Sequence, residues 1–559
     1  MAAVAAIVVT LTGCTSFRDY VHNGYKVGPN YCTPPAEVAK QWIDAGDPRI
    51  RTSPVDLAHW WEVFNDPVLN RLVLCAYQQN LTVKQAGFQI LAARYQLAIA
   101  QGNLFPQTQT VNGSYTRAAS TSLNVLNPAL TQPIFLDRWN YNFNLQWQLD
   151  FWGQFRRAVQ AQEAFLESNV ANYDAALVTM FADAAQYYLA IRTDQQAIKS
   201  LRENVKIQKD LVIYTKRRFD AGFRETELAL AQARAIQEST EAQIPPLEQD
   251  IRQKSDALCV LMGMPPTDLT SMIGQGPIPT VPPDIAIGIP ADLIRRVPAV
   301  RQAERLAAQQ AEQIGIAQAA IYPAIFVNGT FGYTALNFPQ LFSSNAFNGS
   351  VGPSFQWNIL NYGRLVNNVR LQDATLKQLI TAYQQSVLVA NQAVEDGLAT
   401  FFHAHEQTAL LKASVKDYQD ALRIVLAQEK VGAVDYSIYA TIATPLVQQE
   451  NLLATAQGQI VQGLVQVYQA LGGGWQIRCQ SQEATTVAPA GEPSGLKMLE
   501  EVPAPQPKQP DTTLDPPKPP VAEPNTLPPS LSNTAETPKE IPVPSTPADS
   551  KQSAAAPTT

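Results

Sequence analysis

Residues Trp139 to Phe151 alternate between two kinds of side chain without a slip. Trp139, Tyr141, Phe143, Leu145, Trp147, Leu149 and Phe151 are apolar, and Asn140, Asn142, Asn144, Gln146, Gln148 and Asp150 are polar. Successive side chains of a strand point to opposite faces, so one face is apolar and largely aromatic and the other polar. The run is longer than most soluble strands and slightly exceeds the roughly 9–11 residues that cross a bilayer at a tilt. Apolar outside and polar inside is the pattern of an outer-membrane barrel strand. A strand with one face on a soluble core is the competing reading of this stretch taken alone.

The chain repeats itself. Phe105-Pro106 is matched by Tyr322-Pro323, 217 positions later. The same offset pairs Leu81, Val83, Lys84, Gln85 and Ala86 with Pro298, Val300, Arg301, Gln302 and Ala303. Further on the offset is 210: Trp152-Gly153 is matched by Tyr362-Gly363, and Gly222 by Gly432. The length difference falls among strands and loops, where such differences are absorbed. Each half starts with a helical stretch, about 67–104 and 291–321, that ends at a proline, which cannot continue a helix. Two strands follow in each half. The first pair is Thr108–Arg117 and Trp139–Phe151, the second Ile325–Thr334 and Ser350–Leu360. No charged residue lies between Pro323 and Tyr362, while Asn, Ser, Gln and Gly are plentiful. Pro353 within the last strand predicts an edge or a bulge.

A long helix follows each strand pair. Steps of four and three from Leu166 reach Val170, Tyr173, Leu177, Met180, Ala184, Tyr187, Ile191, Asp194, Ile198, Leu201, Val205, Gln208 and Val212, and only Asp194 and Gln208 break the apolar seam. A second seam starts at Leu376 and reaches Tyr383, Val387, Val394, Phe401, Val415 and Leu422. A sustained 3.5-residue period means coiled-coil packing. Gly153 to Phe219 as one helix would be about 100 Å long. The chain is expected to turn back at Gly222 and Gly432, with return helices over about 225–262 and 435–471. Such turns favour glycine because it tolerates positive φ.

Four strands cannot close a barrel, and open edges are not tolerated in lipid. Copies of the chain must therefore share one: two would supply eight strands, three would supply twelve. This physics requires sharing but does not choose the number.

Composition narrows the picture. Charged residues are 16% and the formal charge is -7, which argues against nucleic acid as a partner. The cysteines at 14, 32, 75, 259 and 479 form no CxxC pair, so neither a zinc site nor a disulfide framework is expected. Only the N-terminus holds a long unbroken apolar run, so no spanning helix is expected. Ala2 to Leu11 is an apolar export segment running into Leu11-Thr12-Gly13-Cys14, which resembles a bacterial lipobox. Cys14 is the expected lipidation site, its thiol the nucleophile that takes the lipid. No basic residue precedes the apolar run, so the true start is expected to lie further upstream. No catalytic constellation stands out. His403 and His405 would point roughly 200° apart on a helix and cannot share a metal there. No HExxH, GxSxG or P-loop GK[ST] occurs, so neither an enzyme nor a cofactor beyond the lipid is expected.

Several longer stretches carry a family resemblance. They are VGPNYCTPP (Val27–Pro35), WWEVFNDPVLNRLV (Trp60–Val73), LMGMPP (Leu261–Pro266), RRVPAVRQAERLAAQQAEQIGIAQAAIYP (Arg295–Pro323) and ALGGGW (Ala470–Trp475). In this order, around a duplicated core, the chain resembles TolC-family outer-membrane efflux lipoproteins, the NodT-like factors of tripartite pumps. The resemblance implies a mainly helical fold with a membrane β-barrel. A homotrimer would share twelve strands, four per chain, above a long coiled-coil α-barrel with an equatorial collar. It implies a signal peptide over 1–14, an extended equatorial segment over 15–66, repeats over 67–263 and 291–475 and a linker over 264–290. The implied function is a duct carrying small molecules such as drugs or metals from a periplasmic adaptor and an inner-membrane transporter, of RND type, to the exterior. Thr15 after the lipobox cysteine implies sorting to the outer membrane. The same duct serving type I protein secretion, or a periplasmic coiled-coil scaffold without a pore, are the rivals.

The resemblance places adaptor docking and the gate at the helix-turn tips, here Arg217–Glu227 and Glu429–Tyr436. The residues singled out there are Arg217, Asp220, Gly222, Arg224, Glu429, Gly432 and Asp435. Ordinary exposed helix-end charge is the rival reading of those charges. The expected lipid-facing residues are Trp139, Tyr141, Phe143, Trp147, Phe355 and Trp357. Relatives mostly end near the GGGW-like motif. This chain continues through a segment rich in Pro, Ala, Thr and Ser over 476–559, expected to be a disordered, partly polyproline tail.

Overall fold

The computed structural model describes residues 17–51, 57–120, 134–222, 227–282, 284–286, 295–430 and 436–478. Cys14 and the Pro-rich tail therefore lie outside the described residues. The N-terminal segment holds helix α1 (Phe17–His22), strand β1 (Ile50–Arg51) and a 3-10 turn at Trp60–Phe64. The first half follows as α2 (Pro67–Gln79), α3 (Leu81–Gly102), β2 (Thr108–Ser120), β3 (Ile134–Leu149), α4 (Gln154–Asp220), α5 (Glu227–Glu241) and α6 (Ile244–Leu261). A connecting stretch carries α7 (Thr270–Ile273) and β4 (Ile285–Ala286). The second half is α8 (Pro298–Ala319), β5 (Ala324–Ala335), β6 (Phe347–Gln356), α9 (Arg364–Lys430) and α10 (Tyr436–Ala470).

The repeat is visible in the backbone. Helices α4 and α9 each have 67 residues, about 100 Å of helix. Their ends are separated by the 210 positions found in the sequence. Strands β2, β3, β5 and β6 form one antiparallel sheet in that order, while β1 pairs in parallel with β4. Among the described residues no helix is long and apolar enough to cross a membrane.

Four sequence expectations need correction. The first helical stretch is two helices, because Asn80 caps α3 through Val83 N (2.9 Å) and donates to Leu261 O (2.9 Å). The first return helix is also two, since Pro245 and Pro246 open α6 and lack the N–H groups a continuing helix would need. Strand β3 starts at Ile134 and stops at Leu149, leaving Phe151 outside. Strand β6 runs over Phe347–Gln356, so Trp357 to Leu360 lie beyond it. Its last partner is Ala324; the next position on that side is Pro323, which has no N–H to give. Pro353 sits in an edge strand with unbroken register opposite Val327, so no bulge is needed.

The heptad seam of α4 is buried from Leu177 to Gln208 apart from the half-buried Tyr187, but its first turns bury a different stripe: Ala161, Ala164, Ser168, Ala171 and Asp174. These small residues allow a close approach to α8, which buries Ala307, Ala308, Ala311 and Gly315. The two polar breaks in the seam are paired. Asp194 accepts from Lys254 at 2.7 Å and Gln208 donates to Thr240 at 3.1 Å.

One apolar core ties the halves to the N-terminal segment. It joins Trp60, Trp61 and Phe64 to Leu177 and Phe181 of α4, Phe401 of α9 and Val461 of α10. Trp61 lies 4.6 Å from the Phe181 ring and Trp60 stacks on Tyr468 at 5.4 Å. The Gly472-Gly473-Gly474 turn closes over this core. A Cβ on Gly474 would lie 2.5 Å from the Phe181 ring, and its φ is +104°, so both space and backbone call for glycine.

Candidate functional site

The sheet has two contrasting faces. One carries the rungs Val111–Phe143–Phe331, Tyr115–Trp139–Ala335 and Leu149–Ile325–Phe355. The other carries Thr110–Asn144–Thr330–Ser350 and Ser114–Asn140–Thr334. Trp139, Tyr141, Phe143, Trp147 and Phe355 all lie on the apolar face. Trp357 does not belong to a strand rung, for the reason given above.

On the polar face the side chains bond to one another across strands. Thr330 donates to Asn144 Oδ1 and Thr334 to Asn140 Oδ1, both at 3.1 Å. Asn348 donates to Thr334 Oγ1 at 2.9 Å and Asn328 to Ser354 Oγ at 2.6 Å. Such a surface suits water and uncharged polar solutes rather than acyl chains. The outward edges of β2 and β6 have no strand partner among the described residues.

Aromatic groups gather at both ends of the apolar face. At the loop end, Trp139 lies 4.5 Å from Tyr115 and 4.9 Å from Phe338, and Phe342 meets Tyr141 and Tyr333. At the helix end, Trp147 Nε1 donates to Leu104 O (3.2 Å) and Trp357 Nε1 to Ile321 O (2.9 Å). These two bonds are equivalent under the repeat. Trp152 adds a third, to Pro323 O at 2.8 Å. An apolar band between two aromatic girdles is the outer surface of a lipid-facing barrel wall.

The helical tips lie at the far end of α4 and α9. Gly222 has a φ of +75° and no atom within 4 Å of where a Cβ would sit, so its requirement is backbone conformation alone. Arg217 and Asp220 are exposed in the last turn of α4. A cation there also suits the negative end of the helix dipole. Arg224, Gly432 and Asp435 lie outside the described residues. Glu429 falls in the last turn of α9, but its side chain is not among those described. Behind the tips a second apolar core binds the two hairpins together through Leu211, Ala233, Val415, Leu422, Tyr436 and Tyr439. Phe219 and Leu228 are exposed on the two arms of the first tip. Sequence reading by charge missed both, although each is a large apolar residue near an expected turn.

Between sheet and tips, buried charges pin the N- and C-terminal segments to α4. Arg157 donates to Glu312 Oε2 (2.7 Å), to Val27 O and to Gly28 O. Asp174, fully buried, accepts two bonds from Arg478, both at 3.0 Å. Burial pushes the Asp174 carboxyl above the usual carboxylate range, against the pull of Arg478 and Arg301. Asp194 is likewise pushed up by burial, opposed by Lys254. These groups pair with cations in structural roles. His403 is exposed, while His405 Nδ1 donates to Phe401 O at 3.0 Å. Among the described residues no group of three or more His, Cys, Asp or Glu could hold a metal ion.

Comparison with known proteins places this geometry. The family model described as "outer membrane efflux protein" matches residues 73–264 and 289–473. Nodulation protein T of Rhizobium leguminosarum bv. trifolii is 28% identical over 420 residues, 75% of this chain and 88% of that protein. The probable efflux pump outer membrane protein TtgC of Pseudomonas putida is 27% identical over 490 residues, 84% of this chain and 98% of that protein. The solved structure of the outer-membrane channel OprN superposes with a TM-score of 0.75 at 26% identity, covering 80% of this chain and 99% of the channel.

Proposed function

The chain belongs to the outer membrane efflux protein family, and on that premise we propose that three copies close one twelve-stranded barrel as the outlet of a tripartite export system. The observation that carries this reading is the four-stranded sheet with one apolar face, one polar face and two open edges. Such a sheet is stable in lipid only when other copies cover both edges. The paired 67-residue helices of each copy then continue the conduit away from the membrane. Small molecules such as drugs or metals are the cargo, in keeping with the efflux role in the name of TtgC.

In this reading the tips around Gly222 and Gly432 meet a periplasmic adaptor, which links the duct to an inner-membrane transporter of RND type. Arg217, Asp220, Arg224, Glu429 and Asp435 supply charge rings that hold the tips closed. Cys14 carries a covalent lipid that anchors each copy to the outer membrane. The duct needs no cofactor and performs no catalysis of its own; shape and electrostatics suffice.

The test is the native mass of the purified full-length protein together with its single-channel conductance in a planar bilayer. A trimeric mass with a small, rarely opening conductance is expected. A monomer without conductance would overturn the shared barrel and leave the sheet as a soluble one.

A further inference from the structure

The strand region is almost without charge. From Asn103 to Leu149 the only charged residues are Arg117, Asp137 and Arg138, and from Ala320 to Gly363 there are none. The first two neutralise each other. Arg117 and Asp137 face each other across β2 and β3, on the apolar face shared with Tyr115 and Trp139. Their charged atoms lie 3.8 Å apart, Tyr115 donates to Asp137 at 2.9 Å, and the Arg117 guanidinium lies 5.2 Å from the centre of the Phe135 ring.

Arg138 stands opposite Thr116, two residues before Asn140 and therefore on the polar face. It is exposed, and among the described residues no acidic side chain pairs with it. It lies at the sheet end away from the helices, one residue beyond the last rung that includes β5. We propose that Arg138 forms an anion-recognition ring at the outer mouth of the duct, favouring anionic over cationic cargo at the exit. This rests on the shared-barrel reading above, which turns one arginine per chain into a ring of three.

Size and screening set the strength of the ring. Twelve strands about 4.8 Å apart and tilted about 40° give a backbone ring about 24 Å across. Guanidiniums reaching inward from it lie on the order of 10–15 Å apart, so their fields overlap at low salt, where the screening length reaches about 30 Å, and not at 1 M, where it is about 3 Å. No other formal charge on the polar face opposes them.

The experiment is current block by inorganic tripolyphosphate, added to each side of the bilayer in turn, with the trimeric full-length channel. Addition on the strand-loop side should block the wild type at about 0.01 M salt, and Arg138→Gln should weaken that block about tenfold, shrinking to under twofold at 1 M. Arg138→Lys should keep the block. Thr116→Asp, which leaves the arginine in place but sets an acid opposite it, should weaken the block as Arg138→Gln does. A conducting trimer blocked equally in the wild type and in Arg138→Gln, or blocked from the helix-tip side alone, overturns the ring and leaves the duct standing. A monomeric wild type without conductance overturns the duct itself.

Discussion

In the first half of the chain the hairpin strands have 13 and 16 residues and carry every charge of the sheet. In the second they have 12 and 10 residues and carry none. The return legs differ as well: α5 and α6 are separated ahead of Pro245-Pro246, whereas α10 runs unbroken for 35 residues with Pro445 inside it. Against these differences, the long helices match residue for residue in length, and Trp147 and Trp357 make the same bond to matched carbonyls. A duplicated chain has kept what fixes helix to strand. It has diverged at the loop end of the sheet and along the return legs, where requirements on the two halves need not be the same.

The comparison can be broken hardest where the halves lock together. Gly474→Val forces a side chain into Phe181 and a branched residue into positive φ, so about 3 kcal/mol or more of stability should be lost. Thermal melting of the purified protein and its level in the membrane read this; an unchanged melt would mean the halves do not depend on that contact. A middle-sized effect sharpens the equivalence of the two junctions. Trp147→Phe and Trp357→Phe each remove one hydrogen bond and should each cost about 1 kcal/mol. Unequal losses in the same melting assay would show that only one junction bears on stability.

The smallest effect concerns a residue present in one half alone. Asp183 is half-buried, and burial by itself pushes its carboxyl above the usual range. The matching position in the second half is Ala393. A carboxyl that gives up its proton later when folded than when unfolded costs stability as the pH climbs from its ordinary pKa through the raised one. Asp183→Asn should therefore raise the melting temperature at pH 7, with the gain fading in acid below the ordinary carboxylate range. A gain that persists unchanged at low pH would point to packing instead of charge.

The features most legible in the sequence are those that repeat at short intervals. The period of two in Trp139–Leu149 revealed the sheet and its two faces, and the period of 3.5 revealed α4 and α9. The offset between halves aligned Gly222 with Gly432, and Gly222 does adopt positive φ. The outer part of the hairpin was hidden because Asp137 falls at an apolar position and Leu136 at a polar one, which breaks the alternation. Yet pairing with β2 carries the ladder on to Ile134. The small-residue stripe of Ala161, Ala164 and Ala171 was hidden too, since an alanine counts little in a hydrophobic pattern but permits close helix contact. The ion pair of Asp174 with Arg478 joins residues 304 positions apart, a distance no local pattern reports. Charge marks the tips in the sequence, and it gives no sign of the exposed Phe219 and Leu228 beside it.

The two open edges of the sheet also have a genetic consequence. In the proposed barrel each copy closes its neighbours' edges and has its own closed in return, so no copy can complete its membrane wall by itself. A variant altered only along the outer edge of β2 or β6 would still fold its helices and join assemblies, yet deny closure to the normal copies beside it. Co-expressed with the normal chain, such a variant should act dominantly, since few assemblies would escape it. A variant that fails to fold at all should be recessive.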